Sequence, residues 1–240
     1  MSTRMIVIRT PGTPRWPEVA RAQVEAIARD TVAELQSWLP DLPPAITLSC
    51  TLGTRVIPGL GFGASALDAQ TIGLVVQPGP ADTIADTIAD TLAKHLRHAL
   101  FHESHHLVRG WVRYGGAQRY PRVIDGVICE GLASAFERDA AGYAAPWCDY
   151  PAEAEVRVWV DELRALPRWA KRRHWMFQHP DGRRWIGYRA GTWIADRAMQ
   201  ASGRDAAQLV ATPSAQILAL AGLPPPRRQG LWRWLSPRSN

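Results

Sequence analysis

The chain has 240 residues, 46% of them hydrophobic and 21% charged. That balance excludes a chain disordered throughout, and the length suffices to bury a core without disulfide staples. No stretch approaches the roughly 20 apolar residues of a membrane-spanning helix, and the apolar start Met5–Ile8 is cut by Arg9, too short for a secretory signal. The net charge of +6 is unevenly spread. Residues 1–150 hold 13 basic and 15 acidic residues, whereas residues 151–240 hold 15 and 7, and all the cations but Lys94 and Lys171 are arginines. Cys50, Cys129 and Cys148 are odd in number and far apart, which fits neither a disulfide framework nor a CxxC knuckle and points to a reducing, cytoplasmic setting.

In chain order, residues 5–10 (MIVIRT) read as a short strand. A helix from Glu18 to Trp38 follows, with Ala20, Val24, Ile27, Thr31, Leu35 and Trp38 on one stripe and Leu39-Pro40 ending it. A second strand is expected over 45–53, then a turn-rich loop with Gly59, Gly61 and Gly63, then a third strand over 71–78. The near-repeat ADTIADTIADTLA (81–93) opens a helix that runs through His106 and stops before Gly115-Gly116. Asp125 is the expected cap of another helix through about Arg138. Residues 152–174 read as mostly helical with a break at Pro167, His179–Gly182 as a turn, and Gly187–Met199 and Ala206–Leu220 as the last helices, the second open to interruption by Pro213. A few early strands followed by helices predict an α+β fold. Residues 1–222 are expected to form one domain, with a Pro/Arg/Trp-rich tail over 223–240.

The chemistry concentrates in Phe101–His106, which contains His102-Glu103-x-x-His106. Residues four apart share a helix face, so both imidazoles can reach one metal. Glu103, about 100° away, lies beside that metal, placed to take a proton from its water. Two neutral nitrogens suit zinc, whose catalytic sites add a third protein ligand and keep a position open. The metzincin continuation would need glycine and histidine where Arg109 and Val112 stand, so it is excluded. Glu130, 24 residues after His106, is the candidate third ligand, with Glu137 the competitor. Gly131 favours Glu130, because a glycine inside a helix costs about 1 kcal/mol relative to alanine and is more natural where two helices approach closely.

The pair His102-Glu103-x-x-His106 and Glu130-Gly131-Leu132-Ala133 resembles the gluzincin metallopeptidases. It is more closely similar to a bacterial family known as predicted zinc-dependent proteases, which also carries a Gly-Tyr stretch like Trp185–Gly191 here. The resemblance spans roughly residues 45–220. It implies a zincin-like fold, one Zn2+ per chain held by His102, His106 and Glu130, and hydrolysis of peptide bonds in a peptide or protein substrate. Many gluzincins place an acidic residue four after the glutamate ligand to orient a zinc histidine. Ser134 stands there, so that contact must come from a hydroxyl or from elsewhere, with Asp125 and Asp139 as candidates.

Glu103 is then the general base, and the oxyanion needs a donor. Tyr188 is the candidate, with His179 and Arg189 behind it. The strand at Thr71–Val76 is expected to offer a sheet edge for an extended peptide. Cys129 reads as a small buried hydrophobe, with a role as an extra soft ligand open only if the helix rotates. Two rival readings stand beside the peptidase. One is a zinc-bearing hydrolase of another kind, or an inactive metal-binding module. The other, lesser one binds nucleic acid or an acidic partner through Lys171-Arg172-Arg173, Arg183-Arg184 and Arg227-Arg228, interleaved with Trp169, Trp175, Trp185 and Trp232.

Overall fold

Proline and glycine set most of the element boundaries in the computed structural model, which describes residues 5–11, 16–80, 83–115 and 122–223. The Arg/Trp tail over 224–240, including Arg227, Arg228 and Trp232, lies outside them, as do Gly116 and Pro121. Strand β1 (Met5–Arg9) is followed by helix α1 (Glu18–Trp38), whose N-cap is Pro17 and whose C-cap, Leu39, precedes Pro40. The ring of Pro17 pre-sets φ, and Pro40 bars Leu39 from the helical region. The buried face of α1 runs through Ala20, Val24, Ala28, Thr31, Val32 and Leu35. It is rotated from the expected stripe, leaving Ile27 half-buried and Trp38 at the surface against the edge of Phe136.

Three more strands follow: β2 (Ala45–Leu52), β3 (Phe62–Asp68) and β4 (Thr71–Val76). They form one sheet in the order β1-β2-β4-β3, with β1, β2 and β4 parallel and β3 antiparallel to β4. The glycine-rich loop is shorter than expected. Gly59 and Gly61 take positive φ in the turn, but Gly63 already belongs to β3. β3 escapes sequence reading because FGASALD is poor in the β-branched residues that mark strands. The expected edge is also corrected: β4 lies inside the sheet, with Ile72, Leu74 and Val76 fully buried, and β3 forms the edge. β2 on one side and β3 on the other satisfy the backbone hydrogen bonds of β4.

The C-terminal portion is helical: α2 (Ile84–Arg109), α3 (Val123–Ala141), α4 (Glu153–Ala165), α5 (Arg172–Met176), α6 (Ile186–Ser202) and α7 (Ser214–Leu220). Among the described residues, the four-stranded mixed sheet with seven helices is an α+β fold. α2 runs through His106 and stops before Gly115, as expected, ending at Arg109 with Gly110 as its cap, whose φ of 72° allows a Schellman-type reversal. There the N–H of Trp111 donates to His106 O at 2.9 Å and that of Gly110 to Leu107 O at 3.1 Å. Asp125 sits three residues inside the start of α3 rather than at its cap, where it accepts the Arg122 backbone N–H at 3.1 Å. Residues 206–211 form turns, and Pro213 caps α7.

α2 packs between α1 and α3 and also reaches β3, while α3 lies against α6. The α3–α6 crossing is made by Gly131 and Gly191. A Cβ on Gly131 would collide with the carbonyl group of Gly191, and one on Gly191 would collide with Val127 O. The obstruction is backbone in both directions, so no rotamer change relieves it. Overpacking typically costs about 1–3 kcal/mol, and Gly131→Ala is expected at or above the top of that range. Thermal and denaturant unfolding of this variant should show a clear loss of stability; a Tm within a degree or so of the parent would refute the close-packing role.

Candidate metal centre

Fourfold spacing puts His98, His102 and His106 on one face of α2, and Glu130 and Glu137, two turns apart, on one face of α3. The helices bring those faces together. His102 Nε2 and His106 Nε2 lie 3.1 Å apart, and Glu130 Oε2 stands 3.4 Å from the first and 3.3 Å from the second. Tetrahedral zinc with bonds near 2.1 Å would space its ligand atoms about 3.4 Å apart, so the triangle fits that ion. His102, His106 and Glu130 are the one group of three or more metal-competent side chains found among the described residues. Burial opposes ionisation of Glu130, but the neighbouring His106 charge and bonds to both imidazoles hold its carboxyl well below the usual range.

Glu137 does not join the triangle. Its Oε2 lies 3.1 Å from His102 Nδ1 and its Oε1 2.6 Å from His98 Nδ1. Burial resists its charge, yet bonds to His102 and His98 keep its carboxyl below the ordinary value. An ionised carboxylate only accepts, so both Nδ1 atoms are the donors, and His102 Nε2 is the nitrogen left for a metal. Glu137 therefore does the orienting expected of Asp125 or Asp139. Those two bond the Arg122 backbone and the Arg138 side chain instead. Ser134 does not substitute either, since its buried hydroxyl has no hydrogen-bond partner. The orienting acid has moved from four to seven residues beyond Glu130, and both spacings return to the same helix face.

Glu103 is buried, and its Oε2 accepts the Ala66 backbone N–H at 2.7 Å. Burial raises its carboxyl above the usual value, against the pull of the imidazoles. Tyr188 lines the same cleft, and burial beside Glu130 pushes its phenol well up, so it stays a hydroxyl donor. Its ring belongs to an aromatic group with Trp147, Phe177 and Trp185. Trp185, the N-cap of α6, carries a φ of 61°, a strained value for so bulky a residue and one that sits beside the cleft. His179 and Arg189, the reserve oxyanion donors, are not among the cleft-lining residues.

Two further groups were not foreseen. Trp111 donates Nε1–H to Glu130 Oε1 at 3.4 Å, and Arg172 Nη2 donates to the same oxygen at 3.1 Å. The only sequence signal for Arg172 was its place in the basic cluster 171–173, which pointed outward to an acidic partner. Elsewhere in the basic portion, Arg183 pairs with Asp181 and Glu162, and Arg184 lies over Trp185. His105 is a core histidine: it is buried, its Nε2–H donates to Ala206 O at 3.2 Å, and burial holds its imidazole well below 6.5. Cys129 accepts from Arg109 Nε at 3.1 Å, and burial pushes its thiol up to about 11, which makes it a poor metal ligand at neutral pH.

The cleft above the triangle holds about 560 Å³ and is walled by β3, the Trp111–Arg113 segment and Phe177, Trp147 and Tyr188. The α+β fold thus carries a buried triangle of side chains that could hold a metal ion, with a glutamate beside it and an open cleft above. The chain belongs to a family described as predicted Zn-dependent protease, whose model matches residues 73–219. No curated protein matches the chain.

Two measurements bear on the centre. Loss of a partner that orients a metal-binding histidine typically costs 10–100-fold in affinity, so Glu137→Gln should weaken zinc binding by about that factor in a chelator competition; unchanged affinity would remove Glu137 from this role. Burial opposes the charge on His102, yet Glu130 and Glu137 hold its imidazole well above 6.5. Zinc must displace that proton, so affinity should fall by up to roughly tenfold per unit as pH drops below the raised value. A profile that stays flat as the pH falls to 6.5 would count against it.

Proposed function

We propose that this protein is a zinc peptidase in which His102, His106 and Glu130 hold one Zn2+ and Glu103 is the general base. The observation that carries the reading is the near-equilateral triangle of two imidazole nitrogens and one carboxylate oxygen, with a second carboxylate beside it. Zinc bound there would supply a Lewis acid that polarises a carbonyl and makes a hydrolytic water easier to deprotonate.

The chain's own residues do the rest. The Ala66 N–H pins one oxygen of Glu103, leaving the other to take the water's proton and pass it to the leaving amine. Burial lifts this carboxyl toward the range in which a base works best near neutral pH. The Tyr188 hydroxyl donates to the developing oxyanion. Glu137 fixes the His102 ring through Nδ1, and Trp111 and Arg172 fix Glu130 through Oε1.

Strand β3 supports a peptide substrate in particular. The N–H and C=O of Ala66 both point away from β4, bonded to Glu103 and to the Arg113 N–H. Residues two apart on a strand share an edge, so the Ala64 backbone faces the same way, and Ala64 lines the cleft. An extended peptide can add along that edge. No helix among the described residues is long and apolar enough to cross a membrane, and the three cysteines are buried and free; we assign the enzyme to the cytoplasm.

Glu103→Gln should keep about one zinc per chain while hydrolysis of unstructured peptides falls by about 10²–10⁴-fold. Metal analysis and single-turnover assays of the two proteins test this. A variant with parental activity would remove Glu103 as the base. Stoichiometric zinc in a parent that cleaves no peptide library would favour a hydrolase of another kind or an inactive module.

A further inference from the structure

One cation at the site is neither a buried structural partner nor a free surface charge. The side chain of Arg172 is 40% exposed and lines the cleft. Its guanidinium carbon sits 4.6 Å over the Trp111 ring, and its Nη2 is 3.1 Å from Glu130 Oε1. Gly126 makes room for it, since a Cβ there would lie 2.8–2.9 Å from three guanidinium atoms. An indole face, a glycine and one carboxylate oxygen thus hold the group in place before any ligand arrives.

A guanidinium has five N–H donors, and the contact to Glu130 engages one of its nitrogens. The other oxygen of Glu130 faces two imidazoles, so its charge is divided. The remaining carboxylates of the cleft are engaged elsewhere: Glu103 with Ala66, Glu137 with His98 and His102. Arg113, the second cation lining the cleft, carries its guanidinium over the exposed Tyr114 ring.

We propose that Arg172 is the substrate anchor of this cleft and binds a carboxylate on the residue next to the scissile bond. The inference rests on the peptidase reading above. A planar fork matches a carboxylate bidentately. The width of one carboxylate separates this guanidinium from the triangle, and one residue of extended chain spans about 3.3–3.6 Å. The anchored group is therefore on the flanking residue, either its terminal α-carboxylate or an acidic side chain.

The test is calorimetric binding of N-acetylated dipeptides to Glu103→Gln protein at saturating zinc. Three ligands are compared: a free acid, its amide, and an amide with glutamate as the last residue. Carboxylate ligands should bind about tenfold or more tighter than the plain amide. Arg172→Gln should abolish the preference and Arg172→Lys restore part of it, with zinc content and circular dichroism matched to the parent. Tight binding of the free acid alone assigns the terminal carboxylate, and equal gains for the glutamyl amide assign the side chain; either supports the anchor. Equal binding of all three ligands overturns it, as does a preference that survives Arg172→Gln, which would place the carboxylate on the metal. Turnover of the same peptides by the parent separates the two readings. Hydrolysis without a carboxylate preference sinks only the anchor, whereas carboxylate binding that needs Arg172, without hydrolysis of any peptide, sinks only the peptidase.

Discussion

Three carboxylates buried within one helix-helix-strand junction are the constraint around which this molecule is organised. Glu103, Glu130 and Glu137 are each at most 9% exposed. A buried carboxylate left unpaired is expensive enough that it protonates or the fold rearranges. Each one here has been given donors. Glu103 has the Ala66 N–H, Glu137 two imidazoles, and Glu130 two imidazoles, an indole and a guanidinium. The arrangement still holds more negative groups than fixed cations. His102 offsets part of the difference, its imidazole held well above the ordinary value by Glu130 and Glu137 against the effect of burial. A divalent cation would balance the same charge without protons.

The junction imposes geometry on everything around it. α3 can present Glu130 and Glu137 to α2 only if its other side seats firmly, and Gly131 against Gly191 sets that seat at backbone contact. α2 must stop at Gly110 so that the reversal returns Trp111 over Glu130. β3 must be the sheet edge nearest α2, because its free Ala66 N–H is what holds Glu103. The strain at Trp185 fits the same demand, since that residue opens the helix that delivers Tyr188 to the cleft.

What could be read from the sequence follows from the range of the interactions. His102, Glu103, His106 and Glu130 were legible because helical spacing is local and the chemistry wants those residue types. Gly131 was legible too, as a helix glycine that made sense only against another helix, although its partner Gly191 was not. The α1 boundaries fell where proline stereochemistry puts them. β3 was missed because small residues carry no strand signature, and that omission moved the expected sheet edge to β4. Glu137, the competing candidate ligand, stands outside the triangle and bonds the Nδ1 atoms of His98 and His102. The helix period places positions four and seven beyond Glu130 on the same face, so spacing alone could not separate the two roles. Trp111 and Arg172 owe their positions to a helix reversal and to the packing of α5, which no local pattern encodes.

The arginine-rich portion of the chain takes on a different meaning once the cleft is in view. From composition alone its excess charge suggested an acidic partner met at the surface. Arg183 is in fact tied to Asp181 and Glu162, and Arg197 to Glu153 and the Ala221 carbonyl. These pairs brace helices and strengthen no external field. Arg172 differs because its carboxylate partner is shared with the two imidazoles of the His-His-Glu triangle. Its charge is consequently the least committed of these arginines, and it sits at the lip of the cleft rather than on an outer face. The basic bias and the candidate metal centre, which lie in different portions of the sequence, thus meet at one oxygen of Glu130.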